Sequence, residues 1–519
     1  MGERRIVIAG LAGLSGRGQH AACILPARPV SPAHASRDFD MTSPPLTALE
    51  ARIRDDLARI AHPRASWLTP RTAPDGSQAL DVLVVGAGQS GVVAAFGLKR
   101  SRVDNILVID KAPYGQEGPW VTYARMKTLR SPKEFTGPDL DIPSLTYQSW
   151  HEARYGAAHW QALDLITRED WNDYLLFMRR VTEVPVENDT ELLSLDQAGE
   201  LVAARIRGPE GERTVFARKV VLATGQDSTG RWWMPDFVAA LPAALRAHTA
   251  DSIDFASLKG KVVAVLGAGA SALDNAAEAL EAGAASVHLF CRRLEPQVIQ
   301  PYRWITFRGF MKHLADLDDS WRWRFMSRVM GLREGFPQAT YDRCAAHPNF
   351  VLHTGAAWTA ARAEEGRAVV TTPHGDFAAD FLICGTGIAM DYAAKPELAA
   401  FAGNIATWGD RYAPSAEEAN DRLAAFPYLS PDYQFMEKVP GHTPWIANIH
   451  LFSIASTMSF GPSGSSINAM TTAVPRLVDG VTKGLFAADV EANWSTFLAY
   501  DVAQAEVRQT VPGLGIAAE

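Results

Sequence analysis

Two glycine-rich turns of one kind lie 181 positions apart in this chain, at Gly86 and Gly267, and they constrain its architecture more than any other feature. The first is Gly86-Ala87-Gly88-Gln89-Ser90-Gly91, preceded by the apolar run 82–85 and followed by the helix-compatible stretch 92–99. The second is Gly267-Ala268-Gly269-Ala270-Ser271-Ala272, preceded by the apolar run 262–266 and opening a helical stretch over 270–282. In such a strand–turn–helix unit the first glycine allows the tight turn. The second lets the backbone approach a pyrophosphate, and the small third residue lets the helix pack on the strand. The helix amino terminus then attracts the anion. Two units of this kind predict an α/β chain with two Rossmann-like domains, able to hold two dinucleotides at once.

The turns differ where the ligand is chosen. Asp110 stands 24 positions after Gly86, at the end of the apolar run 106–109. A carboxylate there suits an unphosphorylated ribose, as in FAD. The residue 24 positions after Gly267 is Cys291, followed by Arg292 and Arg293. Two guanidinium groups there suit a 2′-phosphate, as in NADPH, because they pair with it bidentately. The pairing predicts electron flow from NADPH to flavin.

A chain of 519 residues needs more than one core. The expected division is a leader and amphipathic helix over 1–80 and a first FAD-binding part over 81–255. An NADPH-binding domain over 256–378 follows, with a helical insertion at 303–349. A second FAD-binding part with closing helices takes 379–519. Leu46, Leu49, Ile53, Leu57 and Ile60 make a helical stripe that Pro63 ends. Residues 3–14 resemble a short signal peptide with Ala33-His34-Ala35 as a cleavage site. A leader ahead of Met41 in a cytoplasmic enzyme is the favoured reading, because NADPH chemistry needs the cytoplasmic coenzyme pool. A net charge of -8 without a basic stripe argues against nucleic-acid binding. No apolar run is long enough to span a bilayer. The four cysteines form no C-x-x-C pair, the histidines have no metal-ligand spacing, and no G-x-S-x-G elbow occurs.

Ala223-Thr224-Gly225 and Gly385-Thr386-Gly387 each follow an apolar run, as at the strand-to-loop crossings of two-dinucleotide flavoproteins. Asp110 with Gly115, Gly118 and Trp120, and the stretch Met126-Lys127-Thr128-Leu129-Arg130-Ser131-Pro132-Lys133, narrow the comparison. From about residue 81 onward the chain resembles the class B flavoprotein monooxygenases, and most the amine N-hydroxylating branch. That resemblance implies FAD, NADPH and dioxygen, with one oxygen atom inserted through a C4a-hydroperoxyflavin into a small amine or amino acid. It assigns to FAD Gly86, Gly88, Gln89, Ser90, Gly91, Asp110, Lys111, Gly118, Trp120, Leu129, Thr224, Gly225, Gly387 and Ser465. To NADPH it assigns Gly267, Gly269, Ala270, Ser271, Ala272, Arg292 and Arg293. Arg130, Lys133 and Asn468 are the candidate catalytic residues, the first two for the flavin edge or a substrate carboxylate. The run Phe460 to Asn468 precedes a closing helix whose amino terminus would face the flavin.

Two departures weigh against sister branches. The Baeyer–Villiger fingerprint is incomplete, since His248 is present but Ser252 stands at its tryptophan position. Arg130 occupies the place of an asparagine found near the flavin in the flavin-containing branch. S-oxidation, Baeyer–Villiger oxygenation, an NAD(P)H:acceptor reductase and a redox-sensing flavoprotein remain as alternatives. The aromatic stretch from Trp304 to Phe325 reads mainly as core packing.

Overall fold

The structure, a computed structural model, describes residues 43–60, 66–332, 334–464 and 466–506. The leader, Pro63 and Ser465 lie outside these residues. The helical stripe becomes the helix Pro44–Ile60, with Leu46, Leu49 and Ile53 buried and Ile60 exposed. No helix among the described residues is long and apolar enough to cross a membrane.

Strands β1 (Leu80–Val85), β2 (Ile106–Ile109) and β3 (Val186–Glu187) run parallel in the order β3-β2-β1. An antiparallel meander follows, β4 (Glu191–Ala198), β5 (Leu201–Gly208) and β6 (Gly211–Leu222). The long β6 leaves the meander and enters the parallel sheet beside β1. β1 is apolar through most of its length because the sheet is covered on both faces. Burying one such valine or leucine contributes about 1.5–3 kcal/mol.

After β7 (Gly230–Trp232) the chain repeats this plan. β8 (Arg246–His248), β9 (Val262–Leu266), β10 (Ser286–Phe290) and β11 (Phe350–His353) join a second parallel sheet. A second meander, β12 (Ala360–Glu364), β13 (Arg367–Thr372) and β14 (Gly375–Ala379), leads into β15 (Phe381–Cys384), which lies between β9 and β8. β16 (Ile388–Met390) then pairs antiparallel with β7, and β17 (Ile449–Leu451) returns to the first sheet against β6. The second dinucleotide unit is thus inserted into the first.

The expected limits of the inserted domain need correction. β8 and β15 fall outside 256–378, yet both belong to the second sheet. Adjacent apolar strands look alike in sequence, and only pairing shows which sheet takes them. The two chain crossings run side by side as the β7–β16 ribbon, where Gly230 is required because any side chain would overlap the Ala389 carbonyl. The inserted helices also divide their allegiance. Gln338–Ala345 packs on the second domain through Cys344, in one cluster with Leu273 and Ala277. Helices Pro301–Trp304, Arg308–His313 and Asp319–Leu332 instead share a core with Trp408, Phe426 and Met458 of the returning chain. In that stretch Trp323 is fully buried, while Trp304 and Trp321 are exposed, so core packing accounts for only part of its aromatic content.

Candidate cofactor and oxygenation site

The two glycine turns have the same construction. Gly86 and Gly267 both adopt positive φ, 100° and 108°. Each presses on the residue that follows the neighbouring parallel strand, Ala223 in the first domain and Gly385 in the second. The small residues are exchanged between partners. In the first domain the helix contributes Gly91 and the strand Ala223. In the second the helix contributes Ala272 and the strand Gly385, where an added methyl would lie 2.7 Å from the Ala272 Cβ. Gly91 has no such freedom, since a methyl there would overlap the Gly86 carbonyl. Either way the crossing holds one methyl, which brings helix and strand close enough to aim the helix amino terminus at the turn.

Around the first turn the polar groups converge. Asp110 follows β2, and its carboxylate accepts the N–H groups of Ala87 (2.7 Å) and Ala112 (2.8 Å), which orient it beside the turn. Gln89 accepts from the Trp171 indole at 3.0 Å. The Ser90 hydroxyl donates to the Gly464 carbonyl, tying the turn to the loop before the closing helix. Leu129 is buried. Gly88 and Gly118 face one another, a methyl on Gly88 falling 3.7 Å from the Gly118 Cα, with the Trp120 indole nitrogen alongside. That nitrogen and the Thr224 hydroxyl are buried without a hydrogen-bond partner among the described residues. Two unsatisfied donors flanking an anion-attracting turn fit a phosphorylated ligand such as FAD, which would relieve their burial cost. Lys111 is exposed.

The closing helix is Met470–Ala488, just after the run Phe460 to Asn468. It packs on the helix Gln89–Arg100 at Gly97, where a methyl would meet Val478 at 2.9 Å and Val474 at 3.0 Å. Gly137 likewise lies against the Ile467 carbonyl. Asn468 is half-buried, and its side-chain oxygen accepts from Ser466. Beneath this loop runs a chain of buried hydroxyls, Ser228 to Ser453 at 2.6 Å and Ser456 to Ser463 at 2.7 Å, with Ser456 also donating to the Ser453 carbonyl. It locks the segment after β6 to the segment before the closing helix. The glycine inside a helix and the serine-rich run 453–466 were the available signals for these contacts, and neither says what it packs against.

Around the second turn, Ala270 and Ala272 are buried, and Gly269 has open space where a side chain would be. Ser271 is exposed. Arg292 is exposed with no protein partner among the described residues, whereas Arg293 donates to the Gly331 carbonyl. Thr224-Gly225 and Thr386-Gly387 both lead into the β7–β16 ribbon, the two glycines at φ 81° and 79°. Trp232 lies against Tyr123 and His248, and burial pushes the Tyr123 hydroxyl up to about 12.

Arg130 and Lys133 are both engaged by other parts of the protein. Arg130 pairs with Asp274 (3.0 Å), in the helix Ala270–Glu281 of the second domain, and with Glu334 (3.1 Å). Lys127 reaches Glu281 of the same helix. Arg343 braces Asp274, Glu278 and Glu281 from the other side. Burial raises the Asp274 carboxyl, and the two arginines oppose that rise. The stretch 127–130 is therefore an ionic clasp between domains, whose acidic half was invisible in sequence because it lies 144 to 204 positions away. Lys133 donates to the carbonyls of Trp160 and Leu163 and sits over the Trp160 ring. The described cysteines, Cys291, Cys344 and Cys384, are buried and unpaired. No metal-binding cluster occurs among the described residues. His288 is satisfied by His353 and Ser286.

Residues 83–315, which span both glycine turns, match the pyridine nucleotide-disulphide oxidoreductase family. The chain is 41% identical over 460 residues to the FAD-dependent urate hydroxylase of Xanthomonas campestris pv. campestris, covering 88% of this chain and 97% of that protein. Among solved structures, the ornithine N-hydroxylase of Kutzneria sp. 744 aligns with a TM-score of 0.59 at 18% identity, over 78% of this chain and 99% of that one. The ornithine hydroxylase of Pseudomonas aeruginosa aligns at 0.60 and 15%, over 78% and 100%. At such identities these neighbours establish the fold, two dinucleotide-binding domains with one inserted in the other. The urate hydroxylase match extends over nearly the whole of both proteins, and with it the chain belongs to the class B flavin monooxygenases, FAD-dependent oxidoreductases.

Proposed function

We propose that this enzyme hydroxylates urate, or a purine close to it, with NADPH as reductant and dioxygen as oxidant. The observation that carries this reading is the 41% identity extending over 97% of the urate hydroxylase. The expected N-hydroxylation of an amine or amino acid has only fold-level likeness behind it. The state of Arg130 and Lys133 also favours a purine. Both cations that could have held an amino-acid carboxylate are engaged, one by Asp274 and Glu334 and the other by backbone carbonyls.

The chemistry that FAD would supply when bound is the activation of dioxygen with electrons taken from NADPH. One atom of dioxygen would enter the substrate, and the other would leave as water with the hydride of NADPH and one proton from solvent. The chain's own groups orient and protect this chemistry. The backbone of the Gly86–Gly91 turn and the helix behind it would hold the pyrophosphate, with the Trp120 indole and Thr224 hydroxyl as donors and Asp110 for the ribose. The amino terminus of Met470–Ala488 would stabilise negative charge on the reduced ring. Gly267, Gly269 and Ala272 would hold NADPH, and Arg292, which has no protein partner among the described residues, its 2′-phosphate. The buried hydroxyl chain from Ser228 to Ser463 keeps the loop before the closing helix in place and limits water entry.

The test is a parallel oxidation assay. Holoenzyme, NADPH and oxygen are combined with urate, with ornithine and with lysine, and substrate, NADPH and oxygen losses are followed together. Equal loss of urate, NADPH and oxygen supports the proposal. NADPH oxidation that yields only hydrogen peroxide with urate, alongside hydroxylamine formation from an amino acid, would replace it with the N-hydroxylating reading.

A further inference from the structure

A cavity of 360 Å³ lies at the amino edge of the first sheet, the edge opposite the glycine turn. Its walls come from the segment before β1, the β4–β5 turn, β6, the residue before β17 and the end of the closing helix. Three cations line it. Two are neutralised: Arg71 pairs with Asp489 (2.7 Å), and Arg218 with Asp489 (2.9 Å) and Asp81 (3.3 Å). The third, Lys219, is not. It is 8% exposed, and its ammonium donates to the Asn448 side-chain oxygen at 2.6 Å, with no carboxylate in ion-pair contact among the described residues. Asp432 lies nearby but is held by Lys483. Leu201 and Leu485 make the apolar wall.

A buried ammonium with one neutral acceptor is costly, and an anion in the adjoining space would remove that cost. The volume equals that of about a dozen liquid waters, so the ligand is small. We infer that this cavity is a second binding site, separate from the oxygenation site, for a small aliphatic carboxylate: Lys219 takes the carboxylate, and Leu201 and Leu485 take the alkyl chain.

The charge state of Lys219 sets the pH dependence. Burial, and then the Arg218 charge, bring its ammonium down to about 8, and Asp432 opposes them. His450, on β17, is held neutral by burial, down to about 4, and Glu200 stands exposed at the rim. Below about pH 8 Lys219 is charged and binds, and above it affinity falls as the proton leaves.

Calorimetry on the FAD holoenzyme tests this with butyrate, its neutral isostere butyramide, and sulfate. Saturable butyrate binding is expected, about tenfold or more weaker in Lys219→Met and weakening as pH rises through 8, with flavin content and turnover unchanged. Leu485→Trp fills the cavity and leaves Lys219 in place, and should lose butyrate as well. Equal binding of butyramide, equal binding of sulfate, undiminished binding by either variant, or no binding at millimolar butyrate overturns the assignment. Amine labelling of the wild-type enzyme with trinitrobenzenesulfonate, read by peptide mass spectrometry, is independent of how the variants fold. Lys219 should label with a midpoint near pH 8 and be protected by butyrate, and lack of protection overturns the site.

Discussion

Moving one methyl group between Ala272 and Gly385 tests whether the two domains share a single rule for closing helix on strand. Gly385 has an ordinary backbone conformation, so alanine there is sterically opposed only by its neighbours. The added Cβ would sit 2.7 Å from the Ala272 Cβ and 3.2 Å from the Leu266 carbonyl. Carbon contacts are comfortable at about 3.5–4.0 Å, so helix and strand must separate by about 1 Å. Overpacking of that size costs about 1–3 kcal/mol. Ala272→Gly alone should cost about 1 kcal/mol of helix propensity. The double variant restores the arrangement of the first domain, where glycine stands on the helix and alanine on the strand. It should therefore be more stable than the sum of the single changes by about 1–2 kcal/mol. Urea unfolding of the holoenzyme, with KM for NADPH as a local readout, supplies the four corners of the cycle. If the costs add to within about 0.5 kcal/mol, the methyl groups do not compete and the reasoning fails.

Arg292→Ala should weaken NADPH by about 10- to 100-fold, since charge-assisted hydrogen bonds to a phosphate are lost, and leave NADH nearly unchanged. Steady-state kinetics with both coenzymes decides it, and equal loss would move the 2′-phosphate elsewhere. Arg130→Met opens the clasp on Asp274 and should cost about 3–5 kcal/mol by stranding a buried carboxylate, much of it recovered in Arg130→Met with Asp274→Asn. The Asp274 carboxyl is already raised in the folded state, so its stabilising contribution is lost as pH rises through its folded value. Arg130→Met raises that value further and widens the window, which acid-range unfolding curves would report. Opposite behaviour is expected of His450, held neutral by burial down to about 4. Its contribution disappears as pH falls from 6.5 toward 4, and His450→Gln should flatten thermal stability over that window. Gly97→Val should lift the closing helix from its groove and release flavin, measured as bound FAD per chain.

Local sequence was enough for the features that act within a few residues. An apolar strand, a glycine able to take positive φ and a following helix make a turn of this kind whatever surrounds them, so the turns at Gly86 and Gly267 were legible, as was the placement of Asp110 and Arg292 just past the next strands. Contacts between distant segments were not. Arg130 looked like a flavin or substrate ligand because its partners, Asp274 and Glu334, come from another domain. The limits of the inserted domain slipped because β8 and β15 are apolar strands like any other, and hydrogen bonding alone assigns them to the second sheet. The helices at 301–332 were expected within the second domain, but their buried faces found Trp408 and Phe426 of the returning chain. Backbone chemistry is local, and it determined from sequence that the chain would build two strand–turn–helix units of the dinucleotide-binding kind. Which charges are neutralised, which methyl groups compete and how Lys219 comes to be buried beside a neutral acceptor were decided only when the chain closed on itself, because burial and charge pairing depend on neighbours that sequence distance conceals.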